Sequence, residues 1–583
     1  MSAPKDDHNR LDLLLADADE FLPVLAKGLP SETTQRGSKP TKTAGAEDSF
    51  LRRMDGENPN DLKLQRWGVI VPEGPAGDRL LEAIQPLIRL REEEQGATAN
   101  IHRVPPKMTA SEAVDWKENV YWSNDVEEHD RPLYLLMLGD LHEVPAELQH
   151  SLANAAHVGR IHFADEAGET DLDGYEAYAK KVVRYAREGT IYAAPDMAFF
   201  VAEDNTIATY TGDVKLVRPS IETAERLRAK GTFPADEVRK LEAKTVDALL
   251  AAGAGERPSV LLSVSHGMGP PRRGWKVEEQ QRKQGALIVD RGEVLDVEQI
   301  LGQRFLPGGM WFCLACYGGG TPSESAYHTW LSQLAQEGAW SGQAESVLKS
   351  LPAPGQRPFV AAMPQAALRN PEGPLGVIAH LDLAWTYAFS SVKNPSESRK
   401  LRIFKALQSL VRGDRAGVGL NALLQFYREA NDDLMASYEL EEGARKNGRK
   451  DPTDRADRGH LWMLRNDLRG YVLLGDPAAR LPLEQLALTP KTKAPEPEAR
   501  ASEGMAEVRS DRAEPQAGRA AENPSKDETG ASLAAAEKEA FVLAMLHGDE
   551  APRSIAARAG VSLDVLWSWI DAYRAGGRAR LSE

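Results

Sequence analysis

Short apolar runs alternate with amphipathic segments along the chain from Trp67 onward. The runs are rich in branched and aromatic residues and end at Gly, Pro or Asp, which is typical of buried strands. In the first half, strands are predicted at 67–74, 131–140 and 158–165, and helices at 78–95, 144–156 and 174–188. Strands that alternate with helices predict an α/β fold built on a mainly parallel sheet.

The same alternation continues in the second half of the chain. Apolar runs predict strands at 197–202, 259–269, 285–290, 308–320, 357–364 and 470–481. Helical spacing is assigned to two stretches within 221–252, to 375–392 and to 399–433. The sheet therefore extends over two consecutive parts of the chain.

The two ends of the chain have a different texture. Residues 11–27 have the spacing of a short amphipathic helix, and 28–62 are polar like a loop or a disordered arm. Residues 491–532 lack aromatic residues and are rich in Pro, Glu, Ala, Ser and Lys, so they predict a disordered linker. The predicted domains are a flexible arm (1–62), a first α/β subdomain (63–210), a second α/β domain (211–490), the linker (491–532) and a helical module (533–583).

Composition narrows the class of protein. The chain of 583 residues has a formal net charge of −16, which argues against non-specific nucleic-acid binding by the whole chain. Its two cysteines exclude a disulfide framework, which suits a reducing cytoplasm. A polar start and the lack of a long apolar run predict a soluble, cytoplasmic protein with no membrane partner.

Candidate chemistry lies at two predicted strand ends. The first is Ser265-His266-Gly267-Met268-Gly269, and the second is Leu314-Ala315-Cys316-Tyr317-Gly318. Open α/β sheets place their sites at the carboxyl ends of strands. The glycines let a substrate backbone come close and leave amide groups free to point at it.

These residue types suit acyl transfer. Cysteine attacks as the thiolate, and a histidine promotes that form and protonates the leaving amine. Backbone amides next to the nucleophile stabilise the oxyanion, and Gly267 and Cys316 are the expected donors. We therefore predict His266 and Cys316 as a catalytic dyad.

The sequence around these two residues resembles that of a known family. His266 lies 50 residues before Cys316, and Ala315-Cys316-Tyr317-Gly318 is similar to the caspase signature. Residues 263–269, 313–320, 373–387 and 471–481 together resemble gingipain-like or CHAT-type peptidases of the caspase-like clan. The resemblance covers about 67–485.

The resemblance implies a caspase-like sheet with two related subdomains, of which 63–210 is non-catalytic and 211–490 is catalytic. The implied activity is that of a cysteine endopeptidase that acts on protein substrates without a metal or cofactor. It also implies a regulatory role in signalling or defence, with an upstream activating protease or regulator as a partner. Cleavage within 491–532 would release the C-terminal module, because unstructured stretches are cut most easily.

One position departs from the family pattern. Relatives carry an acidic residue just before the nucleophile that selects a basic side chain, whereas Cys313-Leu314-Ala315 is apolar here. Asp382 is the remaining candidate acid for substrate binding. Its alternative is a structural carboxylate that caps a loop or helix.

Plainer interpretations stay open. Cys316 alone would be a buried structural cysteine, and Cys313 with Cys316 forms a C-x-x-C pair without the second pair that zinc requires. The orienting partner of His266 is unassigned, with a backbone carbonyl or Asp290 as candidates. In the alternative function, the caspase-like domain is a catalytically silent scaffold, or the chain is a DNA-binding regulator that acts through its C-terminal module.

The sequence of the C-terminal module predicts helices at 537–548, 554–561 and 562–577. Ala557, Gly560, Val561 and Leu566 have the spacing of a helix-turn-helix, and the module resembles transposase-like and sigma-like examples. Ser562, Leu563 and Asp564 would begin the recognition helix without the basic or amide side chains that read bases. DNA and an adaptor protein both remain candidate partners of 533–583.

Overall fold

The strands of the described chain are short, and most are completely buried. The computed structural model describes residues 10–36, 58–338, 341–353, 355–390 and 398–484, and parts of 537–569. The strands are β1 (Arg10–Leu11), β2 (Leu15–Ala16), β3 (Leu29–Pro30), β4 (Trp67–Pro72), β5 (Asn100–Val104), β6 (Tyr134–Leu138), β7 (His157–Ile161), β8 (Asp196–Val201), β9 (Val238–Lys240), β10 (Ser259–Val264), β11 (Gly267–Met268), β12 (Leu287–Asp290), β13 (Glu293–Leu295), β14 (Met310–Leu314), β15 (Gly320–Thr321), β16 (Phe359–Val360), β17 (Gly376–His380) and β18 (Tyr471–Gly475).

One ten-stranded sheet organises this part of the chain, in the order β5-β4-β6-β7-β18-β17-β14-β10-β8-β9. Its neighbours run parallel except for β18, which is antiparallel to β17 and parallel to β7. A separate four-stranded sheet has the order β13-β12-β11-β2. The predicted α/β fold with a large, mostly parallel sheet is thus confirmed.

Helices connect the strands and pack on the sheet. The α-helices are α1 (Leu62–Gln65), α2 (Pro75–Ala83), α3 (Gln85–Gln95), α4 (Ala110–Trp116), α5 (Ala146–Leu152), α6 (Leu172–Arg187), α7 (Ile207–Gly212), α8 (Arg218–Ala229), α9 (Val246–Gly253), α10 (Val277–Lys283), α11 (Val297–Gly302), α12 (His328–Glu337), α13 (Ser341–Leu348), α14 (Ala362–Arg369), α15 (Leu401–Val411), α16 (Ala416–Lys446) and α17 (Arg455–Arg469). Short 3₁₀-helices lie at Ser31–Arg36, Glu128–Asp130 and Thr386–Ala388, and π-helices at Lys117–Tyr121 and Asp213–Val217.

Both faces of the sheet are apolar. Val69 and Val71 of β4 belong to the main apolar cluster, whereas Ile70 between them belongs to a second cluster. Side chains alternate between the faces of a strand, so each face of β4 is covered. Burial on both sides explains why these strands read as continuous apolar runs.

The large sheet contains strands from both predicted subdomains. β8, assigned to the first subdomain, pairs with β10 of the second. β18, from the end of the second part, pairs with β7 of the first. Strand pairing thus crosses position 210 within one ten-stranded sheet, and the two subdomains stay a prediction.

The helix predicted at 375–392 is wrong in its first part. Residues Gly376–His380 form β17, which lies between β14 and β18. A short apolar run has no periodicity that separates a buried helix from a buried strand. Similarly, only Phe359–Val360 of the strand predicted at 357–364 is extended, and α14 follows it.

The N-terminal segment also differs from its prediction. Residues 11–27, expected as an amphipathic helix, contain β2 and reach β3 by a turn, and Leu11–Ala16 are buried. The predicted flexible arm is therefore not observed for residues 10–36. Tertiary packing overrides the helical spacing because every Leu of the DLLLA stretch finds an apolar environment.

The C-terminal unit is described only in part. A helix spans Pro552–Ala559 and ends at Gly560, whose φ is +69°. Residues from three sections of this unit form an apolar cluster, namely Val542, Ile555, Ala556, Ala559, Leu566 and Trp569. The helix-turn-helix remains a prediction, and the predicted linker 491–532 lies outside the described residues.

A buried ion pair joins distant parts of the large unit. The Arg91 guanidinium on α3 contacts the Asp476 carboxylate just after β18 at 2.7 Å, and the Asp476 side chain is completely buried. The other carboxylate oxygen accepts hydrogen bonds from Trp67 Nε1 and from the Ala478 amide, both at 3.0 Å. The turn at Gly475-Asp476-Pro477 is thus architectural.

Replacing Asp476 with Ala should lower the free energy of unfolding by about 3–5 kcal/mol, because Arg91 would be left buried without its counter-charge. Urea denaturation followed by tryptophan fluorescence measures this loss. The control is Lys180→Ala, which removes an exposed pair with Glu176 and should cost less than about 1 kcal/mol. Equal losses in the two variants would contradict the importance of the buried pair.

Candidate active site

The adjacent strands β10 and β14 bring His266 and Cys316 to the same edge of the large sheet. The two strands are parallel and in register, with Val264 opposite Leu314. His266 and Cys316 each lie two residues beyond this last paired position. The Ser265 amide donates to the Leu314 carbonyl at 3.2 Å, which extends the connection into the site.

Gly267 packs directly against the main chain of Cys316. A Cβ atom at Gly267 would lie 1.9 Å from the Cys316 carbonyl oxygen, so only glycine fits without moving the nucleophile. β11, which contains Gly267, is held from the other side by its antiparallel pairing with β12. The close approach therefore aligns the amides of Gly267 and Cys316.

Both of these amides donate to one oxygen. The Gly267 N–H lies 3.0 Å and the Cys316 N–H lies 3.1 Å from the carbonyl oxygen of Leu14. Two backbone donors that converge on a single peptide carbonyl have the arrangement of an oxyanion hole. The peptide group that they hold belongs to the N-terminal segment of the same chain.

The His266 ring is held through one nitrogen. Its Nε2 atom lies 2.9 Å from Thr206 Oγ1 and 3.4 Å from a carboxylate oxygen of Asp204. Thr209 Oγ1 donates to the other Asp204 oxygen at 2.6 Å, which fixes the carboxylate. The second ring nitrogen, Nδ1, is buried without a hydrogen-bond partner in the described structure.

The charge state of His266 reflects two opposing effects. Burial lowers the pKa of the His266 imidazole, and the nearby Asp204 carboxylate acts in the opposite direction. Burial dominates, so the ring is neutral near pH 7. A neutral imidazole whose Nδ1 atom is unoccupied is able to accept a proton there.

The Cys316 thiol is completely buried. Its sulfur accepts a hydrogen bond from the Ala384 amide at 3.2 Å. Burial raises the pKa of the Cys316 thiol, and the carboxyls of Asp382 and Asp467 raise it further. In this buried environment the sulfur is therefore protonated near neutral pH.

Asp382 lies close to the nucleophile, but its carboxylate is already bonded. Ser325 Oγ donates to it at 2.8 Å, and the amides of Ala326 and Leu383 each donate at 2.8 Å. Burial raises the pKa of Asp382 to about 6. The geometry matches the structural carboxylate that was the alternative to substrate binding.

Asp467 on α17 fixes the other half of the loop that follows β17. Its carboxylate accepts hydrogen bonds from the Trp385 amide at 3.0 Å and the Ala388 amide at 2.8 Å. Burial raises the pKa of Asp467 to about 7. Asp382 and Asp467 together hold the loop that presents Ala384 to the Cys316 sulfur.

Tyr317, directly after the nucleophile, has a φ of +56°, which is unfavourable for a residue with a side chain. Its amide donates to the Asp382 carbonyl at 3.0 Å, and its hydroxyl donates to the Ser350 carbonyl at 3.2 Å. The surrounding structure thus imposes a sharp turn directly after the nucleophile.

Sequence reasoning missed Asp204, Thr206, Asp467 and Leu14. Asp204 and Thr206 follow β8, which is parallel to β10 and pairs Val201 with Val264. The strand-end rule that selects His266 would have selected them if it had been applied to β8 as well. Asp290, a candidate partner of His266, instead accepts a hydrogen bond from the Arg291 amide.

Among the described residues, no cluster of three or more His, Cys, Asp or Glu side chains is arranged to hold a metal ion. The helices that the structure describes include none with the length and apolarity needed to cross a membrane. The chemistry available at this edge of the sheet is that of a thiol, an imidazole and two backbone amides.

Comparison with known proteins gives distant structural neighbours. No family model matches the sequence, and no curated protein matches it. The Arg-specific cysteine proteinase gingipain R is similar with a TM-score of 0.40 and 12% identity, over 72% of this chain and 78% of that chain. A complex of the pro- and mature domains from Porphyromonas gingivalis has a TM-score of 0.37 and 13% identity, over 71% and 79% of the two chains.

A further structure, described as a protease, has a TM-score of 0.42 and 11% identity, over 73% of this chain and 79% of that chain. All three TM-scores are below 0.5. The chemistry of the site therefore has to be argued from its own geometry.

Replacing Asp204 with Asn should lower the pKa of His266 further, because burial would act without the opposing carboxylate charge. NMR titration of the protein with ¹³C-labelled histidine measures the change. Thr206→Val is the matched control, since it removes a hydrogen bond but keeps the charge, and its effect should be smaller. An unchanged pKa in Asp204→Asn would show that the carboxylate does not act on His266.

Proposed function

We propose that this protein is a cysteine endopeptidase that hydrolyses protein substrates, with Cys316 as the nucleophile and His266 as the general acid and base. One observation carries the proposal: the amides of Gly267 and Cys316 converge on a single peptide carbonyl oxygen next to the thiol. A peptide group held in this way has its carbonyl polarised at the nucleophile.

The reaction follows from these positions. His266 takes the thiol proton as the Cys316 sulfur adds to the carbonyl carbon, and the resulting oxyanion is stabilised by the two amides. The carbon–nitrogen bond then breaks, and His266 returns the proton to the leaving amine. Water hydrolyses the thioester with His266 as base, which releases the carboxylic acid and restores the thiol.

Asp204 and Thr206 act as positioning residues in this scheme. They hold Nε2 of His266, which leaves Nδ1 to exchange the proton. Asp204 also favours the imidazolium that forms during the reaction, as an adjacent carboxylate does in other triads. No metal or cofactor takes part in the proposed reaction.

The regulatory role in signalling or defence is part of the proposal and rests on the family resemblance. So does the release of the C-terminal module, because residues 491–532 lie outside the described structure. An upstream activating regulator and a DNA or adaptor partner of 533–583 remain predicted partners.

Cys316→Ala and His266→Ala should each abolish hydrolysis of casein and labelling by a peptidyl acyloxymethyl ketone. Cys316 is completely buried, so only a small fraction of the molecules exposes it at any time. Long incubations are needed for this fraction to give a signal. Mass spectrometry of the labelled chain locates the modified residue.

Cys313→Ala is the matched control for this experiment. Cys313 is equally buried, and burial raises its pKa to about 12, but it lies within β14 rather than beyond its end. This variant should keep the wild-type activity. If the probe labels Cys316 no faster than Cys313, and His266→Ala changes nothing, the chain is the silent scaffold instead.

Gly267→Ala should reduce kcat/KM by on the order of 10² or more, because the added Cβ displaces the main chain that carries both amide donors. Steady-state hydrolysis of a fluorogenic peptide measures the loss. Gly255→Ala is the control, since its Cβ would meet open space and its activity should stay at the wild-type level. Normal activity in Gly267→Ala would exclude the proposed oxyanion hole.

A further inference from the structure

The N-terminal segment Asp12–Ala16, called the occluding strand here, lies between the two loops of the candidate active site. On one side, β2 runs parallel to β11, with Leu15 opposite Gly267 and Ala16 opposite Met268. On the other side, Leu13 forms an antiparallel bridge with Trp385. The segment is therefore bound as an extended strand with backbone partners on both edges.

The backbone hydrogen bonds alternate along the occluding strand. The Thr386 amide donates to the Asp12 carbonyl at 3.1 Å, and the Leu14 amide donates to the Ala384 carbonyl at 3.2 Å. The Gly269 amide donates to the Ala16 carbonyl at 2.6 Å. Peptides that bind as an added strand are recognised in this way, with the main chain supplying affinity and alternate side chains supplying specificity.

The register of the strand identifies one peptide bond. Only the Leu14 carbonyl oxygen, among those of the occluding strand, accepts from both Gly267 and Cys316. An oxyanion hole holds the carbonyl of the bond that is attacked. The bond presented to the thiol is therefore Leu14–Leu15, with Leu14 on the acyl side.

We propose that the occluding strand fills the enzyme's own substrate groove in the orientation of a substrate, so that the groove selects an aliphatic residue before the scissile bond and stays closed until the strand leaves. This inference rests on the proposed peptidase function. It names the class of substrate that the site takes, namely extended peptides related to Asp-Leu-Leu.

The side chain of Leu14 supports an aliphatic preference. It is completely buried, and it belongs to the main apolar cluster together with Ala315, Ala384 and Trp385. Burial of a leucine side chain away from water favours binding. A peptide substrate that replaces the strand gains the same burial when it carries a similar side chain.

The carboxyls that the described structure places near Cys316 are already bonded, which disfavours a basic residue before the scissile bond. The carboxyls that act electrostatically on Cys316 are Asp382 and Asp467. Both are bonded to backbone amides of the loops that they hold, and the pKa of each is raised by burial. A guanidinium in this place would be buried without a partner, which is costly.

The occluding strand also explains the state of the nucleophile. The chain turns back directly after it, and the Val24 amide donates to the Leu15 carbonyl at 2.9 Å. The Asp17 side chain accepts from the amides of Asp19 and Glu20, which stabilises the turn. Cys316 is thereby completely covered, so an external peptide reaches it only after the strand has moved.

The test uses the full chain with a variant that expels the strand. Leu14→Asp places a charge in an apolar site and should open the groove. Wild type and variant are assayed with the fluorogenic peptides acetyl-Asp-Leu-Leu-aminomethylcoumarin and acetyl-Asp-Leu-Arg-aminomethylcoumarin. The variant should hydrolyse the Leu peptide at least about tenfold faster than wild type, because activity scales with the open fraction.

Leu14→Ala provides a milder opening if the charged variant fails to fold, as judged by circular dichroism, and it should give a smaller increase. Leu152→Ala is the control for general destabilisation. Leu152 is equally buried but belongs to the second apolar cluster, so its replacement should leave the rate at the wild-type level. Cleavage of the protein itself after Leu14 that depends on Cys316 would also support the proposal.

The outcomes separate this inference from the proposed function. Hydrolysis of the Arg peptide faster than the Leu peptide would overturn the aliphatic preference but leave the peptidase intact. Equal rates for wild type and both Leu14 variants would overturn the closed groove. If no variant hydrolyses either peptide and no probe labels Cys316, the proposed function itself fails.

Discussion

The in-register pairing of β10 with β14 is the constraint on which the candidate site depends. It sets the ends of the two strands level, so that a histidine and a cysteine two residues further on lie at the same edge of the sheet. β8 pairs with β10 on the far side and brings Asp204 and Thr206 to the same level. Because a slip of one residue would turn each side chain to the opposite face of the sheet, register and chemistry are inseparable here.

Much of this arrangement can be predicted from sequence, since the apolar runs and glycine-flanked ends identify β10 and β14 directly. Residues Gly376–His380 show where pattern reasoning stops, because a five-residue apolar run between two strands has the same composition in a buried helix. The strand-end rule selects Asp204 as a candidate after β8, but its place beside His266 depends on the pairing of β8 with β10, which one sequence alone does not reveal. The coarse fold can be predicted from the local sequence pattern, whereas the residues that orient His266 are identified only once the strand pairing is known.

The N-terminal segment illustrates a second limit. The leucines at 11, 13, 14 and 15 are compatible with a helix and with a strand. The strand is favoured because the backbone amides of Gly267, Gly269 and Cys316 need hydrogen-bond acceptors. Those donors lie about 250–300 residues away in sequence. A buried strand satisfies them, which a helix cannot do because its own amides and carbonyls are already paired. The segment therefore takes its conformation from the groove.

In the proposed peptidase, the bonds that recognise a substrate are the same bonds that hold the occluding strand, so substrate affinity and latency are coupled. A change that tightens the groove for external peptides tightens it equally for the tethered strand, whose effective concentration is high because it never diffuses away. Selectivity for a substrate over the internal strand must then come from contacts beyond Asp12–Ala16, or from removal of the tether.

The position of β18 has a consequence for the order of events during synthesis. This strand lies between β7 and β17 and is contributed by residues Tyr471–Gly475, close to the end of the large unit. The two parts of the sheet meet only across it, and Asp467 just before it fixes the loop behind Cys316. Strand pairings of such long sequence separation are slow to form, because the entropy of closing the intervening chain has to be offset first. When His266 and Cys316 of a nascent chain have left the ribosome, the candidate site is therefore still incomplete. It is completed only when β18 has been inserted into the centre of the sheet.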